Sequence, residues 1–171
     1  MELLDLCPLE TWKSLEDEIR SRSGLNAGAF SIEGIRLIPP AVWPNRLCPQ
    51  IKANPKGQSF ICATAHMNIA NMAQATGKPA IEECDAGMLK MAVPIFVHEE
   101  FVGTVSGCGR LLEDGEVDTF LVGKITGMEE ATLEELASDV PSLSMQDART
   151  ACRFIEEQVA QIVKAYQGPP P

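Results

Sequence analysis

The stretch from Lys90 to Gly107 constrains this chain most. Lys90–Val97 and Phe101–Gly107 are two β-rich runs, dense in Val, Ile and Phe, and only His98-Glu99-Glu100 separates them. Two runs of that length around a short polar break predict an antiparallel hairpin with a polar tip. A lone hairpin is marginal in water, so the remaining residues must supply further strands or covering helices.

They contain both. Leu9–Ser23 carries Trp12, Leu15 and Ile19 at helical spacing with charges between, which predicts an amphipathic helix ended by Gly24. Ala29–Ile38, with Phe30, Ile32, Ile35 and Leu37 around Glu33-Gly34, reads as a strand or hairpin. Pro39-Pro40 and Pro44 break the chain before a short helix around Arg46–Lys52, which Asn45 is placed to cap. Ser59–Thr76 is expected to form one helix, because Ile61, Ala65, Ile69 and Met72 recur at offsets of three and four before Gly77-Lys78-Pro79. Pro79–Cys84 reads as extended and Asp85-Ala86-Gly87 as a turn. After the hairpin the pattern is helical, over about Asp114–Ile125, Ala131–Asp139 and Ser144–Gln167, with Gly168-Pro169-Pro170-Pro171 as a frayed tail.

This order predicts an α+β domain: an antiparallel sheet with covering helices on one face, a PAS/GAF-like variant with a helical C-terminal third. At 171 residues, 45% hydrophobic and 22% charged, the chain is expected to be a single domain over residues 1–171. A net charge of -10 and the lack of any Lys/Arg run argue against nucleic acid and against an anionic membrane surface as partners. No apolar run reaches the roughly 18 residues of a spanning helix, and Met1-Glu2-Leu3-Leu4-Asp5 lacks the basic start of a signal peptide. The expected location is cytoplasmic, where thiols stay reduced and disulfides are disfavoured.

Cysteine usage is therefore informative. Of the six cysteines, Cys48, Cys62, Cys84 and Cys108 each sit in a short apolar phrase edged by Gly or Pro, whereas Cys7 and Cys152 lie in ordinary helical text. Cys62 falls on the inward face of a helix, Cys84 at an extended-to-turn junction, Cys108 at a strand end, and Cys48 on a covering helix. Gly87, Gly107 and Gly109 would let backbone approach a shared centre closely. Four thiolates suit a tetrahedral zinc ion or an iron–sulfur cluster. Their thirteen, twenty-one and twenty-three intervening residues contain no tight Cys-x2-Cys clip, so tertiary folding must gather them. Buried packing or pocket lining, and a redox thiol pair, stand beside the metal reading at this point.

Other residues are candidates for ligand contact. His66 follows Cys62 by one helical turn, Asp85 adjoins Cys84, and Met88 belongs to a methionine set (Met67, Met72, Met88, Met91) suited to an adaptable pocket or to core filling. No Walker A, G-x-S-x-G, H-E-x-x-H or G-x-G-x-x-G motif is present, so nothing in the sequence requires catalysis. In the terminal helix, Ala148, Cys152, Ile155, Val159, Ile162 and Tyr166 make a stripe that would serve either packing on the sheet or homodimerisation.

The ordered phrases Cys48-Pro-Gln-Ile, Cys62, Gly77-Lys78-Pro79, Cys84-Asp85-Ala86-Gly87-Met88, Val93-Pro94-Ile95 and Val102-Gly103-Thr104-Val105 resemble the PocR-type sensory domain family. The resemblance covers about residues 25–112, leaving 113–167 as a helical extension. It implies a PAS-like sensor that binds small hydrocarbon derivatives such as diols and signals through a protein partner. Two departures stand out: Asp85 where the family phrase has His, and Cys108 where its hairpin ends in Gly-Gln. The expectation that follows is a non-enzymatic sensory domain holding a small molecule or a cysteine-ligated zinc ion or iron–sulfur cluster between sheet and helices. Its rivals are a redox enzyme or metalloenzyme using the same thiols, and a plain interaction domain.

Overall fold

A computed structural model describes residues 1–167. The tail expected to fray, Gly168–Pro171, lies outside the described residues. The fold is α+β. In chain order its elements are α1 (Leu3–Leu6), α2 (Leu9–Ser23), β1 (Asn26–Phe30), α3 (Leu47–Ala53), α4 (Pro55–Gly57), a π-helical segment (Gln58–Ala63) and α5 (Thr64–Thr76). There follow β2 (Ala80–Glu83), β3 (Leu89–Val97), β4 (Glu100–Cys108), β5 (Leu111–Leu112), α6 (Thr119–Thr126), α7 (Glu130–Ala137), β6 (Ser142–Leu143) and α8 (Met145–Gln167).

β1, β4, β3 and β2 form one antiparallel sheet in that spatial order. The β3–β4 hairpin turns through His98 and Glu99, with φ of 48° and 67°. Positive φ at both central residues is what a two-residue type I′ turn demands. α2 closes as its sequence predicts, with Gly24 at φ 69° donating its N–H to Arg20 O.

The expectation of helices on one face is corrected: both faces of the sheet are covered. Side chains alternate along a strand. In β3, Leu89, Met91, Val93, Ile95 and Val97 join Ala27, Ala29 and Val105 in a core with Trp12, Leu15 and Ile19 of α2 and Ala148, Cys152, Ile155 and Val159 of α8. Ala92, on the opposite face, packs under Ile69 and Ala73 of α5. A strand buried on both faces reads as a nearly continuous apolar run, and β3 is one.

One further expectation is corrected, and the packing half of another agrees with the structure. Ser59–Thr76 is not uniformly α-helical, because its first turns are wound as the π-helical segment. Within α5, Ala73 is buried where Met72 was expected, and Met72 is 44% exposed. The terminal-helix stripe, read as packing or dimerisation, packs within its own chain: Ala148, Cys152, Ile155 and Val159 lie in the main core. β5 and β6 pair in parallel through Leu111–Ser142 and Leu112–Leu143, tying the α6–α7 excursion back to the body.

A second apolar cluster sits beyond the end of β4. Leu47, Ile51, Ile61, Ala86, Met88, Val122 and Leu133 compose it, with Cys48, Cys62 and Cys84 packed against it. Among the described residues, no helix is long and apolar enough to cross a membrane.

Candidate functional site

The space between this second cluster and the sheet is a cavity of about 170 Å³. Strand alternation sets its floor. Cys108 is the register partner of Asn26 on one side and of Lys90 on the other, and all three line the cavity. Cys48 enters from the first turn of α3, Cys62 from the π-helical segment, and Cys84 from the end of β2. All four candidate thiols thus line one pocket, while Cys7 and Cys152 do not. All six cysteines are free.

The thiols form one electrostatic set. Burial raises the Cys48 thiol far above its ordinary range, and Cys108, Cys84 and Cys62 raise it further, against a hydrogen bond from Asn45. Burial likewise raises Cys62 and Cys84; Cys108 and Cys84 add to the rise at Cys62, and Cys108 adds to it at Cys84. Every pair among the four is therefore close enough for one thiolate to oppose the next. Among the described residues, no three His, Cys, Asp or Glu side chains stand close enough together to hold a single metal ion.

Local structure prepares two of these sulfurs to carry charge. At the Cys84 turn, Gly87 (φ 84°) folds the chain back so that Gly87 N–H donates to Cys84 O at 2.8 Å. Backbone hydrogen bonding from Met88 and Ala86 lowers the Cys84 thiol against the effect of burial. At Cys48, Asn45 Oδ1 accepts the Cys48 N–H at 2.7 Å, performing the capping expected of it. Asn45 Nδ2 donates to Gly109 O at 2.7 Å and approaches the Cys48 sulfur at 3.2 Å. The donor chemistry, soft thiols with N–H groups directed at them, fits a thiolate-ligated centre.

The rest of the lining is aromatic and cationic. Phe30 stacks on His66 with ring centroids 4.0 Å apart. Lys90 Nζ lies 5.9 Å and Arg36 Cζ 5.7 Å from the Phe30 centroid. Arg36 donates to Ile38 O and Asn26 Oδ1 as well as to Ala27 O, and it faces the buried Glu16 carboxylate at 3.9 Å. Lys52 completes the cationic set. Burial, then Lys90, Lys52 and Arg36, push His66 down to about 3, so its ring is neutral.

Of the residues chosen for ligand contact, His66 and Met88 line the cavity; Asp85 is exposed and lies outside it. Sequence reasoning missed Phe30, Arg36, Lys52, Gln58 and Lys90. Lys90 carried a signal: it is a cation at an inward-facing position of an otherwise apolar strand.

The family model described as a sensory domain found in PocR matches residues 5–166. The chain belongs to that family. The match extends the resemblance of residues 25–112 to include α2 and α6–α8, so the C-terminal helices are part of the PocR domain rather than an extension to it. No curated protein and no solved structure matches the chain. Membership assigns this PocR domain a sensory, ligand-binding role and a small-molecule ligand.

Proposed function

We propose that this PocR domain is a sensor whose pocket holds an iron–sulfur cluster ligated by Cys48, Cys62, Cys84 and Cys108. The observation that carries the reading is the convergence of four thiols, from α3, the π-helical segment, the turn after β2 and β4, on one cavity. Buried thiols are costly to ionise, and metal binding supplies the compensation by displacing their protons. A single zinc ion would require the sulfurs to move closer together, because no three candidate ligands are within reach of one ion. A cluster, which spreads its iron atoms and bridging sulfides over a larger volume, takes its four thiolates farther apart than a single ion does.

Three cations, Arg36, Lys52 and Lys90, surround the same space and favour an occupant with net negative charge, as a thiolate-ligated cluster has. The cluster would supply a redox-responsive charge, which the chain's own residues then register. Cys108 and Lys90 sit on the cavity side of the sheet, while Met91, next to Lys90, contacts Cys152 of α8 at 3.7 Å on the other side. Displacement of the cavity floor reaches α8 through that strand, and α8 presents its outer face to a signalling partner.

The test is anaerobic purification followed by metal and acid-labile sulfide analysis. A coloured protein with iron and sulfide in equal amounts is the expected result. Colourless protein holding zinc, or protein that takes up neither metal under reconstitution, overturns the reading.

A further inference from the structure

The cysteine-ligated centre would take its ligands from the thiols alone and give no hydrogen-bond partner to His66 or Gln58. His66 is 4% exposed, and neither of its ring nitrogens has a hydrogen-bond partner; the Gln58 Oε1 atom, also on the cavity, is buried without one. Buried polar groups without partners are rare and costly, and where they face a cavity they mark where a ligand binds. Lys90 is 8% exposed, and neither it nor Lys52 pairs with a carboxylate among the described residues. Arg36, by contrast, is already engaged by Glu16, Asn26 and backbone carbonyls.

These groups define what would complete them. The buried, unpaired ammonium of Lys90 calls for an anion, because a buried unpaired charge is far more costly than a paired one, and the more exposed Lys52 adds its charge at the same cavity. The Gln58 carbonyl and the unprotonated nitrogen of a neutral His66 call for hydrogen-bond donors, which a carboxylate lacks and a hydroxyl has. We infer that the wall formed by Phe30, Gln58, His66, Lys52 and Lys90 binds a short hydroxy acid, its carboxylate on the two lysines and its hydroxyl donating to Gln58 Oε1 while accepting from the N–H of the neutral His66 ring. This inference rests on the family's small-molecule ligand occupying this cavity, and it goes beyond the proposed cluster without depending on it. It also departs from the neutral diols that the family resemblance implied, because a diol would leave both ammonium groups unpaired.

The decisive comparison is between acids and their neutral counterparts. Lactate, malate and glycerate are titrated calorimetrically into iron-free and iron-loaded protein, each beside the alcohol in which every carboxylate is replaced by a hydroxymethyl group. At least one acid is expected to bind, with its matched alcohol weaker by about tenfold or more and with affinity falling as salt is added. Lys90→Met is expected to abolish the preference for the acid. Lys52→Gln changes an exposed residue, so its folding is not at issue, and it is expected to weaken the same acid. Failure of all three acids to bind either form overturns the inference, as does equal binding of acid and alcohol or an unchanged affinity in Lys52→Gln. Iron loading without acid binding would leave the cluster standing and remove this inference. Acid binding by protein that takes up no iron would do the reverse.

Discussion

The Cys48 sulfur lies 3.6 Å from the Met88 thioether, and Asn45 Nδ2 stands within 3.5 Å of both sulfurs. One amide thereby ties α3, the strand that follows the Cys84 turn, and the end of β4 at Gly109 into a single corner of the pocket. Asn45→Ala would remove the cap on Cys48 N–H and leave Gly109 O without its donor. The expected cost is about 2–3 kcal/mol in a denaturant melt, with loss of bound iron out of proportion to the loss of folded protein. Asn45→Asp retains the capping oxygen and should recover the smaller, helix-cap part of that cost.

Gly87 gives a sharper test of the Cys84 turn. Its φ is 84°, and a Cβ built there would collide with the Glu116 carbonyl. The turn also accepts Asp118 N–H at Ala86 O, so it is braced against the segment leading into α6. Gly87→Ala is expected to destabilise the fold by at least about 2 kcal/mol and to disturb the turn that presents the Cys84 thiol to the cavity. A thermal melt reads the first effect and iron content the second.

His66 makes a pH prediction whose sign is fixed by its burial. The folded value of about 3 lies below the ordinary one, so the unfolded chain takes up the proton first as pH falls. The contribution of His66 to stability is therefore complete above about pH 6.5 and is lost progressively towards pH 3, with a slope of at most one proton. His66→Phe, which keeps a ring against Phe30, should remove that part of the acid sensitivity in iron-free protein. Urea melts on either side of neutrality compare the two chains, and equal pH dependence would contradict the assignment.

The terminal helix predicts a stability effect without an assembly effect. Ile155 is fully buried in the core between α8 and the sheet. Ile155→Ala should cost about 2–5 kcal/mol and leave the oligomeric state seen by light scattering unchanged. A change in oligomeric state at unchanged monomer stability would instead restore the stripe as a dimer face.

Much of this was legible in the sequence. The Leu9–Ser23 helix announced itself by Trp12, Leu15, Ile19 and a terminal glycine, and the hairpin by two β-rich runs around His98-Glu99. The convergence of Cys48, Cys62, Cys84 and Cys108 could be argued from where each sat in its element. What stayed hidden depended on tertiary context. The π-helical winding at Gln58–Ala63 leaves no periodicity of its own in so short a stretch. β5 and β6 are two residues each and exist only because α6 and α7 return the chain to them. The cationic wall draws Arg36 from the loop after β1, Lys52 from α3 and Lys90 from β3, and no spacing rule links them. Asp85 looked like a pocket residue because it neighbours Cys84, but adjacent residues at a turn point in different directions, and Asp85 faces solvent.

The central claim, one centre held by four named thiols, is tested most directly by a serine scan of all six cysteines with iron and sulfide measured after anaerobic reconstitution. Cys7 is partly buried beside the main core, and the Cys152 thiol is pushed up to about 12 mainly by burial within it, so neither reaches the pocket. Cys48→Ser, Cys62→Ser, Cys84→Ser and Cys108→Ser should each lower the iron content and alter the visible absorption, while Cys7→Ser and Cys152→Ser leave both as in the parent. Iron retained in full by all four pocket variants, or lost equally from all six, would contradict the account.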